Sequence, residues 1–225
     1  MRQWMLITAL FCIIIAFTGS QIFAENPRFS LLQPDEYHLN TTMSTGAGRL
    51  YVQAKFAVNQ DSLIDTEYYS FFLNKDAYLE RVYVNGKIIP YTISTNLDPM
   101  HFVPELQMLE LIDTCAITKC YSIGSEYLKQ AAGSIDIEVC YRLPLPEWEK
   151  NDLGEECLSF VACDFWYPRN VYEQSEINVT LTTTVFYKVE RSSSVVDEGS
   201  IRTIKKTFID IPGEVIPFSI IKSLN

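Results

Sequence analysis

Cysteine and histidine are the side chains here best suited to nucleophilic or metal chemistry, and the chain has six and two of them. A hydrolytic metal centre needs at least three ligands around an open coordination position. His38 and His101 stand 63 positions apart and neither is followed by Glu, so they build no ligand motif. Four residues separate Cys115 from Cys120 and five separate Cys157 from Cys163, whereas a zinc knuckle closes over two. Three fates stay open for these four residues: short disulfide loops Cys115–Cys120 and Cys157–Cys163, plain thiols, or a metal site. Cys140 is left over inside an alternating segment, where a cysteine behaves as a small apolar residue. A thiol nucleophile would have to pair Cys157 or Cys163 with His101. Glu155-Glu156 lies in a polar stretch and reads as solvated surface rather than as a glycosidase pair. Neither a Gly-x-Ser-x-Gly elbow nor a phosphate-cradling glycine loop occurs. The expectation is no catalytic residue, no metal and no cofactor.

The compartment bears on the cysteines. Arg2 precedes the apolar run Met5 to Phe17, followed by Thr18-Gly19-Ser20-Gln21 and Ile22-Phe23-Ala24. A basic start, an apolar stretch of this length and a small residue before polar sequence together spell a secretory leader over residues 1–24. The alternative is an uncleaved anchor over residues 4–23, but Gly19 to Gln21 would then sit in the apolar zone. Cys12 lies mid-run after Phe11, which does not fit a lipoprotein site. The protein is expected to be secreted or periplasmic, touching a membrane only if the leader is retained, and export permits disulfides. Net charge is −10, and loss of Arg2 with the leader leaves 17 basic against 28 acidic residues. That balance disfavours nucleic acid and anionic lipid as partners, since both require basic patches.

These residues must be positioned by strands. The 225 residues, 48% hydrophobic and 20% charged, describe a globular chain with 13 Tyr and 13 Phe that favour pleated, half-buried surfaces. Residues 25–36 read as a polar lead-in and 37–225 as a single β domain. Leu50, Val52, Ala54, Phe56 and Val58 alternate with Tyr51, Gln53 and Lys55, the period-two signature of a strand. Further strands are expected at Thr66 to Leu73, Ile135 to Leu143, Ile177 to Val189, Ile201 to Ile211 and Val215 to Ile221. Leu79 to Val84 and Lys87 to Ile93 meet across Asn85-Gly86, a dipeptide that accepts positive φ at both central positions and closes hairpins. One helix fits, Glu126 to Ala132, with Ser125 as N-cap and Gly133 beyond its end. Loops are expected over Asp98 to Glu105 and Pro144 to Gly154. The fold class that follows is all-β: a saddle-like sandwich of mostly antiparallel strands with at most one short helix.

The order of several short signals adds a resemblance. Tyr37-x-Leu39 is followed by Phe72-Leu73-Asn74 and then by Leu79-x-x-Val82-x-Val84-Asn85-Gly86. Next come Ala132-Gly133-Ser134-Ile135-x-Ile137-x-Val139-x-Tyr141 and Trp166-Tyr167-Pro168. In this order they resemble the N-terminal β domain of aminopeptidase-N-type zinc metallopeptidases, from about Tyr37 to Ile221. The resemblance implies that fold. In the family the chemistry lies in a following domain with His-Glu-x-x-His and a downstream Glu, for which this sequence has no counterpart. The substrate-binding Gln of some members is also missing, because Cys157 to Cys163 reads CLSFVAC. The fold carries over and the catalytic residues do not.

Two surface features complete the reading. Asn40-Thr41-Thr42 and Asn178-Val179-Thr180 fit the N-glycosylation pattern, relevant in a eukaryotic source. Phe165-Trp166-Tyr167-Pro168-Arg169 admits two readings: a core-capping turn, or an exposed contact patch of Trp166, Tyr167 and Arg169, residue types enriched at binding hot spots. The function expected is a non-catalytic module that binds another protein or packs in an assembly. Its alternatives are an accessory subunit of, or a divergent, metallopeptidase or hydrolase, and a glycan or small-molecule binder using the aromatic residues.

Overall fold

The computed structural model of the chain describes residues 29–60, 63, 66–94, 118–129, 133–161, 164–169, 173–212 and 217–223. Its elements in chain order are β1 (Phe29–Leu31), β2 (Glu36–Ser44), β3 (Arg49–Asn59), β4 (Tyr68–Asn74), β5 (Tyr78–Val84), β6 (Lys87–Ile89) and β7 (Thr92–Ser94). Then come β8 (Thr118–Gly124), α1 (Ser125–Leu128), β9 (Ser134–Pro144), β10 (Glu149–Lys150), β11 (Glu156–Val161) and β12 (Ser175–Thr184). The last are β13 (Tyr187–Val189), β14 (Ser194–Glu198), β15 (Ile201–Asp210) and β16 (Pro217–Lys222). They form an eight-stranded sheet, β14-β15-β12-β2-β3-β9-β5-β6, and two four-stranded sheets, β1-β4-β8-β7 and β10-β11-β16-β13.

Alternation in the sequence decides which face of the large sheet is dry. Along β2, β3, β9 and β12 every second residue is buried. Because the side-chain period is two, this puts Leu39, Val52, Ala54, Phe56, Ile137, Val139, Ile177 and Leu181 on one face. Tyr69, Phe71 and Tyr121 of one small sheet and Leu158, Phe160 and Phe218 of the other belong to the same continuous core. The two small sheets thus cover one face of the large one, while its other face carries the polar half of each strand. This is an all-β sandwich, antiparallel except for β1 beside β4 and β12 beside β2. The Asn85-Gly86 turn joins β5 to β6 as its dipeptide requires, with φ of 49° and 75°. Asn85 also accepts from the Asp136 backbone N–H through its side chain and donates its own N–H to the Asp136 carbonyl.

Several expectations are corrected. The polar lead-in is built into the fold: β1 pairs with β4, and Leu31 and Leu32 are buried. The single strand expected from Ile177 to Val189 is two, since β12 belongs to the large sheet and β13 to a small one. The segment Lys87 to Ile93 divides likewise into β6 and β7. Strand β8 was not expected because it is buried on both faces and shows no alternation. Strand β14 hides for the opposite reason, being exposed throughout. The helix is one turn, its cap residue is Gly124 in extended backbone rather than Ser125, and residues 130–132 lie outside those described. The leader (1–24), the loop at Asp98 to Glu105 and His101 also lie outside them.

The assignment of faces makes a prediction. Ile137→Ala, in the dry face, should cost about 2–5 kcal/mol in urea unfolding. Ile88→Ala, on an edge strand and exposed, should change stability by no more than about 0.5 kcal/mol. Equal costs would show the faces wrongly assigned.

Candidate functional site

The expected contact patch is not on the surface. Trp166, Tyr167 and Arg169 are 2%, 0% and 9% exposed, so the core-capping reading of this segment applies and the patch is withdrawn. The reason is packing. The Trp166 indole stacks on Phe218 at 5.4 Å between ring centroids and leans on Phe160 at 5.6 Å. Its indole N–H has no hydrogen-bond partner among the described residues. The Trp166 carbonyl accepts from the Tyr141 hydroxyl at 2.9 Å. Tyr167 meets Tyr37 edge-on, and its hydroxyl donates to the Asp210 carboxylate. Arg169 grips that carboxylate with two N–H groups, each at 2.8 Å, and donates to the Ile211 carbonyl at 3.0 Å. A planar guanidinium fork matches a carboxylate in this bidentate way. The segment therefore ties β2, β9, β11, β15 and β16 together.

The cysteines and sequons are placed as follows. Cys140 and Cys157 carry free thiols, and Cys120 is buried in β8. The expected disulfide partners Cys115 and Cys163 lie outside the described residues. Partial burial and a hydrogen bond to Glu138 push the Cys140 thiol up to about 11, so it stays protonated and is a poor nucleophile at neutral pH. Asn40 and Asn178 both lie within strands on the open face of the large sheet rather than in loops. The Asn178 amide donates to Glu36 at 2.8 Å and Glu176 at 2.9 Å and accepts from Thr207 at 2.7 Å.

The chemistry-bearing side chains collect instead on that open face. Asp35, Glu36, His38, Lys55, Tyr83, Asp136 and Glu138 line a concavity of about 620 Å³. The strand register dictates the arrangement: His38, Lys55, Glu138 and Tyr83 occupy one row across β2, β3, β9 and β5. His38 lies 3.2 Å from Glu36, and Lys55 lies 3.5 Å from Glu138. Gln53 donates to Glu138 at 2.7 Å. Partial burial alone would push the Glu138 carboxyl up, but the hydrogen bonds from Gln53 and Cys140 and the Lys55 ammonium outweigh it and hold it below the usual carboxylate range. Such a groove, with four carboxylates against one lysine, can bind polar or basic groups. No three of the described His, Cys, Asp and Glu side chains are grouped to hold a metal ion. Sequence reasoning missed the groove because its members come from four separated stretches, each reading only as the wet half of a strand.

The Tyr167 contacts generate a pH prediction. Burial, and then the negative charge of Asp210, push the Tyr167 hydroxyl far above the ordinary tyrosine range. A group whose pKa is raised by folding contributes stability that is complete below its unfolded value, about 10, and lost above it. Unfolding free energy should therefore fall above about pH 10, as the unfolded chain releases a proton that the native one keeps. In Tyr167→Phe that fall should be shallower by about 1.4 kcal/mol per pH unit. Denaturant titrations at several alkaline pH values measure it, and an unchanged slope would contradict the buried placement.

Comparison with known proteins places the architecture. No family profile matches the chain, and no curated protein matches its sequence. Solved structures do. An M1 zinc metallopeptidase from Deinococcus radiodurans is 10% identical with a TM-score of 0.52, over 84% of this chain and 42% of that one. Leukotriene A4 hydrolase from Saccharomyces cerevisiae is 8% identical with a TM-score of 0.54, over 84% of this chain and 28% of that one. The same yeast enzyme in complex with bestatin gives 10%, 0.53, 86% and 29%. This chain spans less than half the length of each. What is shared is the fold, that of the N-terminal β domain of the M1 zinc metallopeptidases.

Proposed function

We propose that this chain is an exported, non-catalytic β module that binds another protein through the open face of its large sheet. Its fold, shared with less than half of a metallopeptidase chain, carries the reading. A domain of this kind acts as a platform for a separate protein, and an accessory subunit of a peptidase is the form of partnership its fold favours. The groove supports a role in contact: its hydrogen-bonded polar groups are ordered before binding, which lowers the entropy lost on association. Its acidity favours a partner that presents lysine or arginine there. The leader-like residues 1–24 support an address outside the cytoplasm. The reading as a glycan or small-molecule binder loses its motivation in Trp166 and Tyr167, which are buried.

Two measurements test the proposal together. The purified protein should show no turnover of aminoacyl or peptide substrates above buffer, with or without added zinc, and metal-dependent turnover would overturn the non-catalytic assignment. A photo-crosslinking residue at Tyr83 should give a discrete protein adduct in the producing cells, and one at Leu153, away from the groove, should not. Equal labelling at both positions would remove the groove as the contact face.

A further inference from the structure

The large sheet ends in two edge strands, and one of them is distinctly the longer. Sheet edges present unpaired N–H and C=O groups, and proteins blunt them with very short strands, charged side chains (lysine above all), proline or a bulge. The other edge strands here, β1, β6, β7, β10 and β13, are two or three residues long. Strand β14 has five residues, Ser194-Val195-Val196-Asp197-Glu198, all exposed. It contains neither lysine nor proline, and it pairs with β15 in unbroken register. Among the described residues no strand lies on its outer side. Val195, Val196 and Ile201 expose 48%, 55% and 52% of their surface along this hairpin. Its one inward charge is already neutralised, because Arg202 holds Asp197 with two N–H groups at 2.7 Å each.

We propose that β14 pairs antiparallel with the β14 of a second copy of this chain, centred on Val196, so that two large sheets become one across a two-fold axis. A self-complementary patch of this kind is what a two-fold interface requires. Centred on Val196, the pairing uses all five residues: Val196 faces its own copy, Ser194 faces Glu198, and Val195 faces Asp197. No two acidic residues oppose each other. Each Glu198 instead has the small Ser194 of the other copy beside it and, one strand further, that copy's Lys205, since Ser194 pairs with Lys205 within each chain. Two strand spacings amount to about 10 Å, a distance that a lysine and a glutamate on one sheet face span over an intervening serine. A register centred on Asp197 would set two carboxylates face to face and is disfavoured.

Sedimentation equilibrium of the purified protein tests the proposal. The wild type should be dimeric at about 100 µM, and Val196→Lys should raise the dissociation constant about tenfold or more while circular dichroism shows the fold unchanged. Val196→Cys should give a disulfide-linked dimer on mild oxidation, because paired positions lie about 4.5–5.5 Å apart at Cα, within disulfide range. Wild type treated in the same way, with its native cysteines, should give none. Glu198→Lys should weaken the dimer, and adding Lys205→Glu should restore it. A monomeric wild type at that concentration would overturn the proposal, as would a dimer indifferent to Val196→Lys.

Discussion

Arg169 and Asp210 form an ion pair taken almost entirely out of water, with side chains 8% and 2% exposed. Two charges in that position cost several kcal/mol of lost hydration each, so neither is tolerated without the other. The pair persists because its remaining valences are filled: Tyr167 donates a third hydrogen bond to the carboxylate, and the guanidinium donates to the Ile211 carbonyl. Its consequence is positional. The segment 164–169 is fastened to the end of β15, and everything packed on Trp166 and Tyr167 takes its place from that attachment. At the other end of the segment Asn74 donates its backbone N–H to the Phe165 carbonyl at 2.8 Å and its side chain to the Asp164 carbonyl at 2.9 Å. Phe165 between them adopts φ of 53°, a conformation costly for an aromatic residue and held only where the surroundings over-determine it.

With the dry face of the large sheet closed by this segment and the two small sheets, its polar face is left open to solvent. There the ordering is done by side chains alone, through the chain of contacts from Thr207 and Asn178 to Glu36 and His38, and from Gln53 to Glu138 and Lys55. These groups are held by one another yet remain accessible to water. A fold shared with part of a peptidase does not by itself bring the peptidase's chemistry with it. The edge at β14 offers a second mode of contact, through main-chain hydrogen bonds rather than side chains.

Legibility in the sequence followed burial. Strands with one wet face, such as β3 and β9, announced themselves by alternation, and the Asn85-Gly86 turn by the φ it permits. Strand β8 did not, because burial on both faces erases the period; β14 did not, because exposure on both faces does the same. The break after Thr184 was hidden because the period of two runs on through Val185 and Tyr187 while the chain crosses between sheets. The Trp166 segment could be named but not placed. Its partner Asp210 lies 41 positions beyond Arg169, and nothing local marks that carboxylate as the one that draws the arginine inside. The groove was illegible for the same reason, since register between distant strands assembles it.

Arg169 and Asp210 act as one buried unit fastening the segment to the sheet. A double-mutant cycle with Arg169→Met, Asp210→Leu and both together, read as unfolding free energies in urea, tests it most directly. Each single change should cost about 3–5 kcal/mol by leaving a buried charge alone, and the double mutant should cost well below their sum, with a coupling energy of at least about 2 kcal/mol. Additive costs would mean that the two charges do not share one buried site, and the account of how this sandwich is closed would fail.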